Sequence, residues 1–458
     1  MDELLQRLEA LLGPGGVLTG EDVRSRAAGV WRSDPIGAGA IVRPRETEEV
    51  SAILALCHER GQSVVTHGGL TGLVHGADSE GADLVLSTER MTRIEEIDPV
   101  DRTVRAQAGV VLQTLQEAVA EHDLIFPLDL GARGSCRIGG NLATNAGGNR
   151  VVRYGMTREN TLGVEAVLAD GTVVPALNRM VKNNSGFDLK HWFIGTEGTL
   201  GVVTQAVLRL REAPRSRVSA LLAADSFASV ARLLKHLDAS LGGGLSAFEV
   251  MWRDFYDVVS RPPVRSSPPI SGAYPFYVLC EAMGGDPTAD AQRFENALGQ
   301  ALEEGLAVDA ILADTEARQA ELWHMRDSVE ALFAFGPYQI FDVSLPISAM
   351  ETYVGQVSQG IQAIAADARL FTFGHLGDGN LHFLASPGAD DEATVEAVER
   401  AVYEPLAAVG GGVSAEHGIG LEKKRWLSLS RSPAEIALME RVRRALDPKG
   451  ILNPGKVI

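Results

Sequence analysis

Two short stretches carry side chains that could do chemistry together. Residues 371–383 read FTFGHLGDGNLHF, and residues 414–420 read SAEHGIG. The first holds two imidazoles, His375 and His382. The second holds a carboxylate and a third imidazole, Glu416 and His417, between small residues. Two His alone make a poor metal site, because a catalytic divalent ion usually takes three protein ligands and keeps a fourth position open. His375, His382 and Glu416 complete such a set, and His417 is left over as a base.

The element that must position the two imidazoles is a hairpin. Asp378-Gly379 is a strong two-residue turn signal, since a type I′ turn needs positive φ at both central positions. Folded about that turn, Gly377 faces Asn380, Leu376 faces Leu381 and His375 faces His382. Directly opposed side chains on one face of a sheet have Cβ atoms ~5 Å apart, which suits two imidazoles on one metal.

Composition bounds the function classes. The chain has 458 residues, a formal net charge of −18, 45% hydrophobic and 22% charged residues. Its length predicts two or three domains of ordinary globular make-up. The acidic balance argues against nucleic acid and against an anionic membrane surface. It leaves room for a phosphorylated cofactor held by backbone N–H groups. Three separated cysteines, Cys57, Cys136 and Cys280, form neither a disulfide framework nor a CxxC pair, which fits a reducing, cytoplasmic setting. The opening MDELLQRLEALLG reads as a short amphipathic helix rather than a signal peptide, and no apolar run reaches the ~18–20 residues of a membrane span.

Along the chain, Thr47 reads as the N-cap of a helix over 48–60, followed by a strand over 63–66 and a glycine-rich stretch, HGGLTGLVHG (67–76). Strands over 83–87 and 103–108 and a helix over 111–122 come next. A second Gly/Asn-rich segment spans 126–154, and a third glycine cluster, GTEGTLG (195–201), leads into a strand over 202–210. Glycines in such clusters let backbone bend sharply and approach a ligand. Between them, 162–175 reads as a hairpin. Past Pro214 the pattern changes. Strands over 217–222, 276–281 and 339–346 alternate with helices over 227–240, 289–304 and 316–334, predicting an antiparallel sheet with helices on one face. Residues 260–275 read as a surface loop. A helix over 392–409, the Glu416 loop and a helix over 433–446 close the chain. The fold class is α+β, with boundaries expected at 1–212, 213–386 and 387–458.

No GxGxxG opens a βαβ unit, which excludes a Rossmann site. Residues 450–457 approach a P-loop, but Val457 stands where Ser or Thr must reach Mg²⁺. The three Gly clusters in this order, ahead of the hairpin, resemble a known family. HGGLTGLVHGA (67–77), PLDLGARGSCRIGGNLATNAGGNRVVRYG (127–155), GTEGTLGVVT (195–204), GHLGDGNLH (374–382), AEHGIGLEKK (415–424) and DPKGILNPGKV (447–457) resemble the FAD-dependent oxidoreductases of the vanillyl-alcohol oxidase/p-cresol methylhydroxylase superfamily. The likeness runs nearly end to end. It is nearest the branch of D-2-hydroxyglutarate dehydrogenase, D-lactate dehydrogenase and the glycolate oxidase flavin subunit.

The resemblance implies a two-part FAD-binding domain, an α+β cap domain with an antiparallel sheet, and a C-terminal segment returning to the flavin. It implies that Gly68, Gly69, Leu70, Thr71, Gly72 and Leu73 hold the FAD pyrophosphate. Pro127, Leu128, Gly131, Gly134, Ser135, Gly139, Asn141, Thr144, Asn145, Gly147 and Gly148 line the flavin, Gly198 and Val203 touch the adenosine half, and Asn453 returns to the ring. Leu70 stands where covalent members carry His, so non-covalent FAD is expected. The branch implies His375, His382 and Glu416 as ligands of one divalent metal, for which Zn²⁺ is suited and Mn²⁺ or Fe²⁺ compatible. It also implies His417 as general base and Arg326 as the clamp on the substrate carboxylate of a D-2-hydroxy acid oxidised to its 2-oxo acid.

Departures from the pattern bear on the substrate. The hydroxyglutarate enzymes carry Lys where this chain has Ile340, Asn where it has Leu384, and a small polar residue where it has Glu330. Losing a cation and gaining an anion favours a substrate without a second carboxylate, such as D-lactate, with D-2-hydroxyglutarate as the alternative. A third reading is a non-redox transferase of the alkyl-dihydroxyacetonephosphate synthase type, against which Glu416 argues. The electron acceptor (electron-transfer flavoprotein, cytochrome or quinone, with peripheral membrane association through it) and a homodimer stay open.

Overall fold

The computed structural model describes residues 2–458. The first helix runs Asp2–Leu12 and buries Leu4, Leu8 and Leu12; Met1, where the sequence pattern starts it, lies outside the described residues. The chain divides into two compact units. One comprises the chain up to Gly147, Gly155–Ala213 and Glu416–Ile458; the other comprises Gly148–Tyr154 and Pro214–Ala415.

The first unit opens with strands β1 (Val17–Thr19), β2 (Ala40–Val42), β3 (Val64–His67) and β4 (Leu84–Ser87), in the order β1-β2-β4-β3. The helix Thr47–Arg60 packs Val50, Ile53, Leu54 and Cys57 into one core with Val64, Leu84 and Leu86. Thr47 is its first residue rather than its cap. Its Oγ1 instead donates to the buried Glu165 carboxylate at 2.5 Å, beside Thr204 Oγ1 at 2.8 Å. Strands β5 to β11 follow: Ile94–Asp98, Thr103–Gln107, Leu124–Ile125, Thr161–Val167, Val173–Ala176, Val202–Arg209 and Arg211–Glu212. Five form an antiparallel sheet in the order β5-β6-β10-β8-β9, and β7 pairs with β11. The C-terminal segment returns to β3: Val64 N–H donates to Ile451 O at 2.8 Å and Asn453 N–H to Val64 O at 2.9 Å.

The second unit is built on one seven-stranded antiparallel sheet. Strands β12 to β18 are Ser216–Ala224, Leu245–Trp252, Phe276–Gly284, Asp309–Ala313, Gln339–Ser344, Arg369–His375 and Asn380–Ser386, in the order β15-β12-β14-β13-β17-β18-β16. Side chains alternate between faces with period two. On one face Trp252 packs against Phe227 of the helix Phe227–Leu241, Phe383 against Tyr353 of the helix Ile347–Ile364, and Phe341 against Tyr403 at the end of Glu392–Tyr403. The other face is covered too, which the expected single helical layer did not include. Phe255 of the short helix Arg253–Val259 stacks on Phe373 at 4.2 Å, and the helix Glu316–Asp327 buries Leu322 and Met325 in the same cluster. That helix stops at Asp327, and Val329–Phe335 continues as a 3₁₀ turn.

The short Gly148–Tyr154 segment joins this unit through charge. Arg150 Nε donates to the fully buried Glu281 at 3.0 Å, and Arg153 Nη1 donates to Met283 O at 2.6 Å. Cutting a carboxylate out of water costs several kcal/mol unless a cation and hydrogen bonds compensate it; Arg150 and the Ser246 hydroxyl at 2.9 Å do so here.

The histidine hairpin corrects the expected register. Phe373, not His375, faces His382. The connection is four residues rather than two, a 3₁₀ turn at Leu376–Asp378 followed by Gly379 at φ 85°. The shift is two residues, so both imidazoles keep the same face and meet diagonally, ring centroids 5.2 Å apart. Close approach of the strands demands glycine at 374, where an added Cβ would lie 2.3 Å from Asn380 O. Gly374→Ala is therefore expected to destabilise by about 1–3 kcal/mol; an unchanged thermal midpoint would contradict this account of the hairpin.

Candidate active site

One face of the second unit's sheet gathers the chemistry. Cross-strand pairing sets Met251, Phe373, His382 and Asp342 in one row, and Glu249 opposite His375 on the same face. Two residues along, Phe371, Leu384 and Ile340 form the next row. The parity of four strands thus places a polar half beside an apolar half.

Glu249 is the centre of the polar half, and it was not among the residues singled out from sequence. It is 1% exposed. Its Oε1 lies 2.7 Å from His375 Nδ1, and its Oε2 accepts from Arg326 Nε at 2.8 Å, with Nη2 2.7 Å away. Complete burial pushes its carboxyl up, but His375 and Arg326 together hold it below the usual range. An ionised carboxylate only accepts, so Nδ1 of His375 carries a proton toward Glu249. The signal in the sequence was a lone carboxylate in an otherwise apolar strand, LSAFEVMW.

Arg326 is buried. It sits in the last turn of Glu316–Asp327, with its guanidinium 5.2 Å from the Phe373 ring centroid and Nη1 3.4 Å from Asp327. Asp342 is fully buried beside His382, but their 3.9 Å separation is too long for a hydrogen bond. Its Oδ2 accepts from Ser414 Oγ and from Ala415 N–H, both at 3.0 Å. Gly412 and Ser344 exchange backbone hydrogen bonds at 2.7 and 3.1 Å. The chain is thereby fastened to β16 up to Ala415, the residue before Glu416. Glu416 and His417 themselves fall in the first unit.

In the first unit the loop after His417 is clamped by Glu197 of the third glycine cluster. The carboxylate accepts from Ile419 N–H at 2.7 Å and Gly420 N–H at 2.9 Å, and Gly418, at φ 88°, leaves no room for a Cβ beside it. Burial pushes the Glu197 carboxyl up despite these two donors. The glycine clusters meet backbone to backbone: a Cβ on Gly69 would lie 2.3 Å from Ser135 O. Asn453 ties them together, its Oδ1 accepting from Thr66 N–H at 2.9 Å and its Nδ2 donating to Glu197 O. Its amide is thus engaged by protein backbone. Leu128 and Val203 are buried in the core of the second sheet, and Gly148 belongs to the other unit.

Sequence models and relatives agree with this construction. Residues 213–457 match the C-terminal domain of FAD linked oxidases, and residues 38–176 match an FAD binding domain. The chain belongs to the FAD-linked oxidases. Among curated relatives, the mitochondrial D-2-hydroxyglutarate dehydrogenase of Bos taurus is 41% identical over 97% of this chain and 81% of its own length. The D-2-hydroxyglutarate dehydrogenase of Xanthomonas citri pv. viticola is 39% identical over 93% and 90%. Among solved structures, p-cresol methylhydroxylase with substrate bound superposes with a TM-score of 0.79 at 17% identity, over 100% of this chain and 96% of that one. Alkyldihydroxyacetonephosphate synthase gives 0.77 at 17%, over 99% and 86%. At such identity these two share the fold alone.

The residues of this FAD-linked oxidase fit the cofactor. Beside the glycine seam, Thr66 Oγ1 is buried without a hydrogen-bond partner, and an added Cβ on Gly72, Gly131 or Gly140 would meet nothing within 4 Å. Buried donors that no protein group satisfies, next to open glycines, are what a polar ligand completes. His67, at the end of β3, is held neutral: burial drives its pKa down to about 4, and its Nε2–H donates to Ala77 O at 2.8 Å.

That burial sets a pH dependence. The unfolded ring protonates near pH 6.5 and the folded one near 4. Stability from this group is intact above pH 6.5 and declines as pH falls towards 4, by about 1.4 kcal/mol per unit. Chemical unfolding of His67→Asn is expected to lack that part of the wild-type decline between pH 6.5 and 4.5; parallel pH curves for the two proteins would contradict it.

Proposed function

We propose that this FAD-dependent D-2-hydroxy acid dehydrogenase acts on a monocarboxylic D-2-hydroxy acid with an apolar side chain, D-lactate being the simplest, and holds one divalent metal on His375, His382 and Glu416. The observation that carries the substrate reading is the row Phe371–Leu384–Ile340 beside His382. Phe333, Phe335 and Tyr338 pack against the same cluster, Phe333 stacked on Tyr338 at 4.2 Å. Within this face the cation nearest the imidazoles is Arg326, already half neutralised by Glu249. The next cation on this face, Arg369, lies one row beyond Leu384 with its guanidinium over the Phe335 ring, so a second substrate carboxylate set against Leu384 and Ile340 would meet apolar side chains, which disfavours it.

The donor set suits a divalent ion. Two neutral imidazoles and a carboxylate match zinc, and Mn²⁺ or Fe²⁺ is compatible with the same ligands. A bound metal supplies Lewis acidity that lowers the pKa of the substrate hydroxyl. Non-covalent FAD supplies the hydride acceptor. Arg326 holds the substrate carboxylate. His417 takes the hydroxyl proton while the Cα–H leaves with its electron pair, which converts C–OH to C=O. Apolar side chains around His382 keep water from the reacting carbon.

D-2-hydroxyglutarate is the second reading, favoured by the names of the relatives at 41% and 39% identity. The electron acceptor belongs to the same proposal: an electron-transfer flavoprotein, a cytochrome or a quinone. Among the described residues no helix is long and apolar enough to cross a membrane.

Steady-state kcat/KM with an artificial acceptor separates the two readings. The wild type is expected to prefer D-lactate or a longer aliphatic D-2-hydroxy acid over D-2-hydroxyglutarate. Ile340→Lys with Leu384→Asn is expected to raise the D-2-hydroxyglutarate value by about tenfold or more, the worth of one good charge-assisted contact. A wild type that prefers D-2-hydroxyglutarate overturns the substrate reading.

A further inference from the structure

Outside the residues assigned above, Glu249 is a buried charged group that touches two of them at once. Both carboxylate oxygens are used, one on the imidazole of His375 and one on the guanidinium of Arg326, at 2.7 and 2.8 Å. Its strand neighbours on this face are Met251 and, across the pairing, His375 and Phe373, so water does not compete for it. The two partners come from separate elements, β17 and the helix Glu316–Asp327, and Glu249 from a third, β13.

We propose that Glu249 is the positioning residue of the site: it fixes the ring plane and tautomer of His375 for the metal and the orientation of Arg326 for the substrate carboxylate. This rests on the reading of His375 as a metal ligand. An imidazole whose Nδ1–H is held by a carboxylate presents Nε2 as a stronger and better-aimed donor, and loss of such a partner typically costs on the order of 10–100-fold in metal affinity. Glu249 is placed to do this, with Oε1 2.7 Å from Nδ1, whereas Asp342 stands beside His382 and is engaged by Ser414 and Ala415. The same carboxylate fixes the plane of the Arg326 guanidinium through Nε and Nη2. Metal ligand and anion clamp are therefore held in one frame, and a shift of either is transmitted through a rigid three-atom bridge.

The test measures metal affinity directly. Purified flavin-loaded protein is stripped with a chelator, and Zn²⁺ is titrated in competition with a chromophoric chelator. Wild type, Glu249→Gln, Glu249→Leu/Arg326→Leu and His375→Ala are compared, with melting curves and flavin absorbance on each. The double variant removes both buried charges and so avoids stranding the guanidinium. It is expected to fold, to keep its flavin and to bind Zn²⁺ about 10–100-fold more weakly than wild type. Glu249→Gln retains an acceptor for Nδ1–H and is expected to fall between. Wild-type Zn²⁺ affinity in both Glu249 variants, with binding abolished in His375→Ala, would overturn the role of Glu249 and leave the metal reading standing. Undiminished Zn²⁺ binding in His375→Ala would remove His375 as a ligand and the proposal with it.

Discussion

A carboxylate wholly out of water, between an imidazole and a guanidinium, is the constraint on which the site of this protein rests. Bringing Glu249 into the apolar interior of a sheet costs several kcal/mol by itself. It stays ionised because His375 and Arg326 are both within hydrogen-bond distance. Neither partner can move independently, so the hairpin of β17 and β18, the helix Glu316–Asp327 and the central strand β13 are locked into one geometry. The remaining features of this unit serve that lock. Phe255 stacks on Phe373, and Gly374 lets the hairpin strands close.

The first unit uses a different physical device. Its glycine clusters approach one another more closely than any side chain would allow and so present a surface of backbone. What holds these clusters is a few polar side chains from distant parts of the chain: Asn453 between Thr66 and Glu197, and Glu197 beneath the loop that follows His417. A surface of this kind suits a large phosphorylated cofactor in an acidic protein, since backbone donors bind anions without adding lysines.

Much of this was legible in the residues. Glycine clusters announce backbone conformations that other residues avoid, so the order of the three clusters identified both the family and its cofactor. The alternation of strand and helix patterns past Pro214 foretold the antiparallel sheet. The strand register of the hairpin was not legible, because Asp-Gly marks a turn without fixing its length; the period of two kept the faces right although the pairing was off by two residues. Arg326 was singled out by the family resemblance, but its burial was not legible, because its helix pattern carries many polar side chains and only tertiary packing buries it. Glu249 went unnoticed because its partners lie 77 and 126 residues away in sequence, and no local pattern encodes such a contact. Ile340 and Leu384 were noticed singly, but that they face each other across one strand pair emerged only from the sheet.

The central claim is that this chain removes a hydride from a D-2-hydroxy acid with its flavin, assisted by a metal at the histidine hairpin. Anaerobic rapid mixing of the flavin-loaded protein with D-lactate, L-lactate and D-2-hydroxyglutarate, before and after chelation and metal return, tests it most directly through the oxidised-flavin absorbance. The account predicts fast bleaching by D-lactate, none by the L-enantiomer, loss of bleaching on chelation and recovery when metal is returned. A yellow, metal-replete protein that none of these acids bleaches, or one bleached equally well after complete chelation, would contradict it.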